Sequence, residues 1–301
     1  MKLKTMGSVA VGLVTWVVFF LGSVGLAQSL PSPKPFLVFD GTLYSDKPDL
    51  SVHGIRPITV VYVGKFGPDW YKQADRLPNI ESVKAAAREA KVKGNVVVLD
   101  IEHWQLKGSP ELVRDSLTKY MTVLEWFRAA APGLSVGYYG APPLRDYWRA
   151  NKGAASQEHK SWRDENDQLR SLAGAVDVLF PSLYTFYPDQ IGWREYAIAQ
   201  IEEARRYGSA GPVYAFLWPQ YHGSNRTLGG QYLPDNFWLL QLELAKEFAD
   251  GIVIWGGWGS DNRPASWDEN APWWKITKEF MKRVAPSVSS APRAPTSLTV
   301  R

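Results

Sequence analysis

Two carboxylates, Asp100 and Glu102, stand one residue apart at the end of an apolar run in "NVVVLDIEHW", Asn95 to Trp104. Four apolar residues in succession, Val96 to Leu99, read as a strand buried on both faces, and the period of two along a strand turns both acids the same way. Like charges held that close disfavour joint ionisation. One member of the pair therefore keeps its proton to a higher pH, which is how a general acid is prepared.

Other apolar runs also end in groups that could serve a reaction. Asp40 closes the first, Tyr138 and Tyr139 a later one, Tyr184 follows in "FPSLY", Trp218 and Gln220 come next, and Trp255 opens "WGGW". An acid for a leaving oxygen, a group for a developing cation and aromatic walls are what a sugar-cleaving pocket requires. Two blander readings stand beside this one. The acid pair could be a structural cluster with Arg or Lys, and a tyrosine at a strand end is commonly half-buried packing.

The elements that must position these groups alternate. Short apolar runs recur at Phe36, Ile58, Val96, Leu134, Val176, Pro212 and Gly251. Helical segments lie between most of them. "NIESVKAAAREAKVKG" has Asn79 as cap and Gly94 as stop, and the helix after Ser109 has Pro110 at its first position and Pro132-Gly133 as terminator. Further helices are expected near Asp189 to Tyr207, Asp235 to Ala249 and Trp273 to Val284. This alternation predicts an α/β fold of parallel strands with crossover helices.

Strands without polar alternation suit a closed (β/α) barrel of TIM type better than an open sheet, and no glycine-rich phosphate loop follows the first strand. The count falls one short of eight, so the barrel is expected to be distorted or seven-stranded. In such barrels the chemistry sits where the strands end.

Composition narrows the function. Of 301 residues 45% are hydrophobic, enough for a large core. Residues 1–27, with Lys2 and Lys4, an apolar stretch from Val9 to about Leu21 and a small-residue end at Ala27, have the layout of a secretory signal peptide. An uncleaved anchor is the alternative, though the stretch is near the lower limit for a spanning helix. Either way the body, residues 28–284, is expected to be exported: secreted, periplasmic or at the cell surface, without stable membrane insertion once the signal is cleaved. Residues 285–301 are rich in Pro and Ser and read as a tail or linker, ending in "APTSLTV", which looks like the opening of a fibronectin type III module.

Removing residues 1–27 takes two Lys and no acid from the chain, leaving 32 basic against 30 acidic residues and a net charge of +2. No basic run marks a nucleic-acid partner. The absence of cysteine rules out disulfides and thiolate metal sites, and the four histidines show no helical zinc spacing, so neither metal nor cofactor is expected. Fourteen Trp and fourteen Tyr suit sugar rings, although large aromatics are as often core residues.

The order of motifs resembles the hyaluronidase family of glycoside hydrolases. "VVLDIEHW" stands where the family has an Asp-x-Glu-x-Trp strand end, "VGYYGAPP" where it has Gly-Tyr-Tyr and a Pro turn, and "NDQLRSLAGAVDVLFPSLY" is similar to its Asn-Asp-Gln-Leu helix running into Phe-Pro-Ser-x-Tyr. "PVYAFLW" and "GIVIWGG" follow in the same order, so the likeness spans roughly Phe36 to Ser260.

The resemblance implies a polysaccharide containing N-acetylhexosamine as substrate and a substrate-assisted retaining mechanism. Glu102 would be the acid and base, Asp100 would position the 2-acetamido group, Tyr139 and Tyr184 would hold that group, and Trp255 would wall its methyl. Trp218 and Asp40 join these as substrate-binding expectations. Three departures set the chain apart as a distant, cysteine-free, bacterial relative: it lacks the family's disulfides, it has Trp104-Gln105-Leu106 in place of Trp-Arg-Pro, and its first strand ends in Asp40 rather than Trp-Asn. Two further readings stay open: a glycosidase using Asp40 and Glu102 as a direct carboxylate pair, and an inactive carbohydrate-binding barrel.

Overall fold

The computed structural model describes residues 35–284, apart from 73, 74, 210, 260 and 262. The expected signal at 1–27 and the tail at 285–301 lie outside the described residues. The strands are β1 (Leu37–Thr42), β2 (Arg56–Pro57), β3 (Thr59–Tyr62), β4 (Val96–Asp100), β5 (Ser135–Tyr138), β6 (Tyr214–Leu217) and β7 (Gly251–Gly256). The helices are α1 (Ile80–Lys93), α2 (Pro110–Ala130), α3 (Tyr147–Ala150), α4 (Gln157–Asp167), α5 (Arg170–Ala175), α6 (Gln190–Arg206), α7 (Asp235–Phe248) and α8 (Pro272–Val284).

All ladders between strands are parallel, in the orders β2-β1-β7-β6 and β3-β4-β5. Two joints turn these sheets into one ring. β2 and β3 are a single extended segment interrupted at Ile58. Residues 179–182 bridge the other gap, with Phe180 opposite Tyr139 of the β5 end and Leu179 and Ser182 opposite Val213 and Phe216. Seven parallel segments therefore close a (β/α) barrel, the count that the seven apolar runs imply.

A proline stands at each weak joint: Pro181, with no N–H to give, interrupts the bridges of 179–182, and Pro57, itself paired with Asp40, directly precedes the break at Ile58. The 179–182 segment stays in place through the bonds that remain. Leu179 donates its N–H to the Pro212 carbonyl at 3.0 Å, and the Pro181 carbonyl accepts from the Phe216 N–H at 2.9 Å. Gly137 on β5 makes the approach feasible, because a Cβ there would lie 2.1 Å from the Val178 carbonyl oxygen.

Helix ends agree with the sequence. Asn79 accepts from the Glu81 and Ser82 amides, and Ser109 accepts from Leu112 ahead of Pro110. Two apolar layers result. Leu37, Phe39, Val98, Val178, Phe180, Tyr214, Phe216 and Val253 pack together inside the ring, while Val38, Val97, Leu99, Val136 and Ile252 pack outward with the helices. This strict alternation assigns each strand-end residue to the barrel interior or to the helical layer. Among the described residues no helix is long and apolar enough to cross a membrane.

Candidate active site

The interior face of each strand continues into the mouth of the barrel. On β4 the sequence Val96, Val98, Asp100, Glu102 keeps one parity, while Ile101 between the acids is buried in the outer core. Both acids line one cavity of about 340 Å³, as the spacing predicts. Tyr62, Tyr139, Tyr184, Trp218 and Trp255 wall the same cavity, and Arg145 and His222 reach it from loops. A second cavity of about 400 Å³, lined by Trp104, Leu106, Lys107 and Leu144, shares Glu102, Tyr139 and Arg145 with the first. Glu102 thus stands exposed where two openings meet.

The acids differ in environment. Among the described residues neither carboxylate forms a salt bridge, so the structural-cluster reading is set aside. Burial of the Asp100 carboxyl, with the Glu102 charge beside it, pushes its pKa up to about 7. The pair therefore retains a proton to a higher pH, and the carboxyl that is pushed upward is that of Asp100. The sequence reading expected such a proton, and the family resemblance assigned the acid role to Glu102. Burial explains the difference: Asp100 still belongs to the strand, whereas Glu102 projects past its end.

Helix α2 steadies this turn from behind. The Tyr120 hydroxyl donates to the Ile101 carbonyl at 2.8 Å and lies 3.4 Å from the Trp104 carbonyl, and Tyr138 donates to the Tyr120 carbonyl at 2.7 Å. Tyr138 is thus an outward-facing buttress, while its neighbour Tyr139 faces the cavity and pairs its hydroxyl with Ser182 at 2.9 Å. The aromatic wall is also tied down. Trp255 donates from Nε1 to the Tyr62 hydroxyl at 3.0 Å, and Trp218 to Gln220 at 2.9 Å. The Tyr184 ring lies 5.7 Å from those of Tyr139 and Trp255 and 5.5 Å from that of Trp218. Burial, the largest influence, pushes the Tyr62 phenol up to about 12, and it carries Tyr139 and Tyr184 upward as well, so all three remain neutral hydrogen-bonding groups.

Six of the seven expected site residues, Asp100, Glu102, Tyr139, Tyr184, Trp218 and Trp255, meet at this cavity. Asp40 is the correction. On β1 the interior positions are Leu37 and Phe39, so Asp40 turns to the other face. Its carboxylate there binds Lys47 Nζ at 2.6 Å and accepts from the Thr42 amide and hydroxyl at 3.0 and 2.6 Å. It is absent from the cavity lining, and the proposed Asp40/Glu102 pair is not assembled.

Tyr62, Arg145 and His222 are among the lining residues that escaped the sequence reading. Tyr62 has the parity of Ile58 and Val60, a signal that was available. Arg145 and His222 come from loops whose path no periodicity encodes. Among the described residues no three or more His, Asp or Glu side chains gather in a way that could hold a metal ion.

In overall fold the protein is similar to bee venom hyaluronidase. Against its monoclinic crystal structure the TM-score is 0.56 at 18% identity, covering 82% of this chain and 97% of that one. Against its complex with a hyaluronic acid tetramer the TM-score is 0.59 at 17% identity, covering 83% and 100%. At these identities the likeness is one of fold. No protein-family model matches the chain, and no curated protein matches its sequence.

Proposed function

We propose that the protein is an exported glycoside hydrolase of N-acetylhexosamine polymers of the hyaluronan type, acting by a substrate-assisted retaining mechanism. The observation that carries this reading is the opening of Asp100 and Glu102, both free of salt bridges among the described residues, into one aromatic-walled cavity. With Asp40 turned outward, no carboxylate besides these two lines that cavity. With Glu102 acting as the proton donor and Asp100 engaged by the acetamido N–H, the acetamido oxygen of the substrate is left to attack.

The pair needs one proton in total. On substrate binding Glu102 carries it and gives it to the leaving glycosidic oxygen as the C1–O bond breaks and the acetamido oxygen bonds to C1. Asp100, then ionised, accepts the acetamido N–H and balances the positive charge of the resulting ring. Glu102 next takes a proton from water, whose oxygen attacks C1 and reopens that ring with retention. Tyr139 and Tyr184 flank the acetamido group, and Trp255 and Trp218 give it an apolar wall.

Arg145 supports a uronic-acid-containing chain. The sequence lacks an arginine directly after Trp104, but Arg145 stands at the junction of the two cavities, so a sugar carboxylate would meet positive charge there, whereas Lys107 in the second cavity is paired with Asp146.

The test incubates the protein and Glu102→Gln with hyaluronan, chondroitin and chitin oligomers, each with and without its acetyl groups, and follows chain length. Cleavage of acetylated substrate by the parent alone is expected. Equal cleavage of deacetylated chains would eliminate substrate assistance, and an active Gln variant would eliminate Glu102 as acid.

A further inference from the structure

Beyond the cavity the mouth carries an aromatic corner that no step above uses. Trp148 is 60% exposed and Tyr187 38%, although tryptophan is among the residue types most buried on average. Their rings lie 5.3 Å apart at 51°, forming an open angle rather than a closed stack. Buried Tyr147 supports both from beneath, with its ring 5.5 Å from Trp148 and 5.4 Å from Tyr187.

The corner is pre-set before any ligand arrives. Asp146 caps α3 by accepting from the Arg149 amide at 3.0 Å, and Arg149 forks onto Glu165 at 2.8 and 2.6 Å. The Tyr147 hydroxyl lies 3.4 Å from Asp189 at the start of α6. Ring contacts with buried Tyr147 and with Tyr187 narrow the rotamers open to Trp148, which lowers the ordering cost of binding.

Two chain segments link the corner to the cavity. The loop that delivers Tyr139 and Arg145 runs directly into Trp148, and the segment that delivers Tyr184 runs through Phe186 into Tyr187. The Arg145 guanidinium lies 5.6 Å from the Phe186 ring, and that ring lies 4.6 Å from His222; Arg145 and His222 both line the cavity.

We propose that Trp148 and Tyr187 form a distal sugar subsite that stacks the apolar C–H face of a pyranose further along the same polymer, on the Arg145 side of Glu102. The proposal rests on the glycosidase reading for the identity of the chain. The consequence is a dependence on length: a substrate too short to reach Trp148 gains nothing from it, whereas a longer one binds more tightly.

Trp148→Ala, Tyr187→Ala and the conservative Trp148→Phe are compared with the parent on hyaluronan tetra-, hexa-, octa- and decasaccharides. KM and kcat are read from chain shortening, and binding is read by calorimetry in the Glu102→Gln background. In the parent, affinity is expected to rise with length. In both Ala variants the ratio of tetrasaccharide to decasaccharide KM is expected to collapse by about tenfold, one aromatic stack's worth, and Trp148→Phe restores most of it. Loss of affinity by the same factor at every length, or no loss at any, would overturn the subsite. If the parent cleaves none of these chains but its length-dependent binding still vanishes in Trp148→Ala, the hydrolase reading fails and the subsite stands. If the parent neither cleaves nor binds them, both fail.

Discussion

Asp40 and Asp100 each close an apolar run near the end of a parallel strand, and their fates are opposite. Asp40 faces the helical layer, where Lys47 and Thr42 satisfy it. Asp100 faces the barrel interior, where burial and a second carboxylate push its pKa up to about 7 and no cation compensates it among the described residues. The side where the fold leaves a carboxyl uncompensated is the side on which the proposed chemistry is placed. A single step of strand parity separates a structural ion pair from a proton-holding site.

That contrast can be broken first at its reactive end. Glu102→Gln is expected to lower turnover by roughly 10³-fold or more while leaving the heat-unfolding midpoint unchanged, since the side chain is exposed and without an ion pair. Turnover and calorimetry on the same preparation check both halves; a large shift in the midpoint would give Glu102 a structural role instead.

Asp100→Asn is expected to cost roughly 10²-fold in turnover and to gain stability. The ordinary value of the carboxyl is 3.8 and the folded value about 7, so the folded state holds a proton that the unfolded chain has already released. Stability conferred by that proton is full below about 4 and is lost as pH rises through about 7. At 1.36 kcal/mol for each pKa unit the ceiling is ~4 kcal/mol. Denaturant unfolding should therefore find the Asn variant ahead of the parent at about pH 8, with the gap closing towards about pH 3.5. Under the proposed mechanism the same ionisation predicts that parent activity falls as pH rises through about 7, because the pair then lacks the proton that Glu102 would deliver; a flat profile to about pH 9 would contradict this.

Tyr120→Phe probes the turn between the two acids. It removes the donor to the Ile101 carbonyl, so a loss of ~1 kcal/mol in stability and roughly tenfold in kcat is expected, with KM much less affected. Steady-state kinetics will separate the two. The smallest effect belongs to the other aspartate: Asp40→Asn should cost ~1 kcal/mol or less and leave turnover within about twofold. A loss in turnover comparable to that of Asp100→Asn would erase the distinction between the two faces.

Much of this arrangement was legible before any coordinates. The apolar runs marked all seven barrel segments, and the caps at Asn79 and Ser109 marked the starts of two helices. Parity within the β4 run oriented Asp100 and Glu102 together. The same rule, applied to Leu37 and Phe39, turns Asp40 away, and applied to Ile58 and Val60 it recovers Tyr62. These positions were within reach of periodicity because strand alternation is a local property of the backbone.

Other features depended on the folded chain. The run from Val176 marks a strand, but that residues 179–182 join the two sheets is decided by long-range bonds to Pro212, Val213 and Phe216 that Pro181 partly limits. Arg145 and His222 approach the acids from loops, whose course is set by packing rather than by period. The upward shift of Asp100 follows from desolvation, a quantity that exists only once its carboxyl is enclosed. The sequence by itself determined the strands, their helices and the direction in which the acid pair faces, because those follow from local backbone geometry. Only the tertiary structure decided which charges are compensated, which loops meet the pair and which of its carboxyls is pushed upward, because each depends on neighbours far away in the chain.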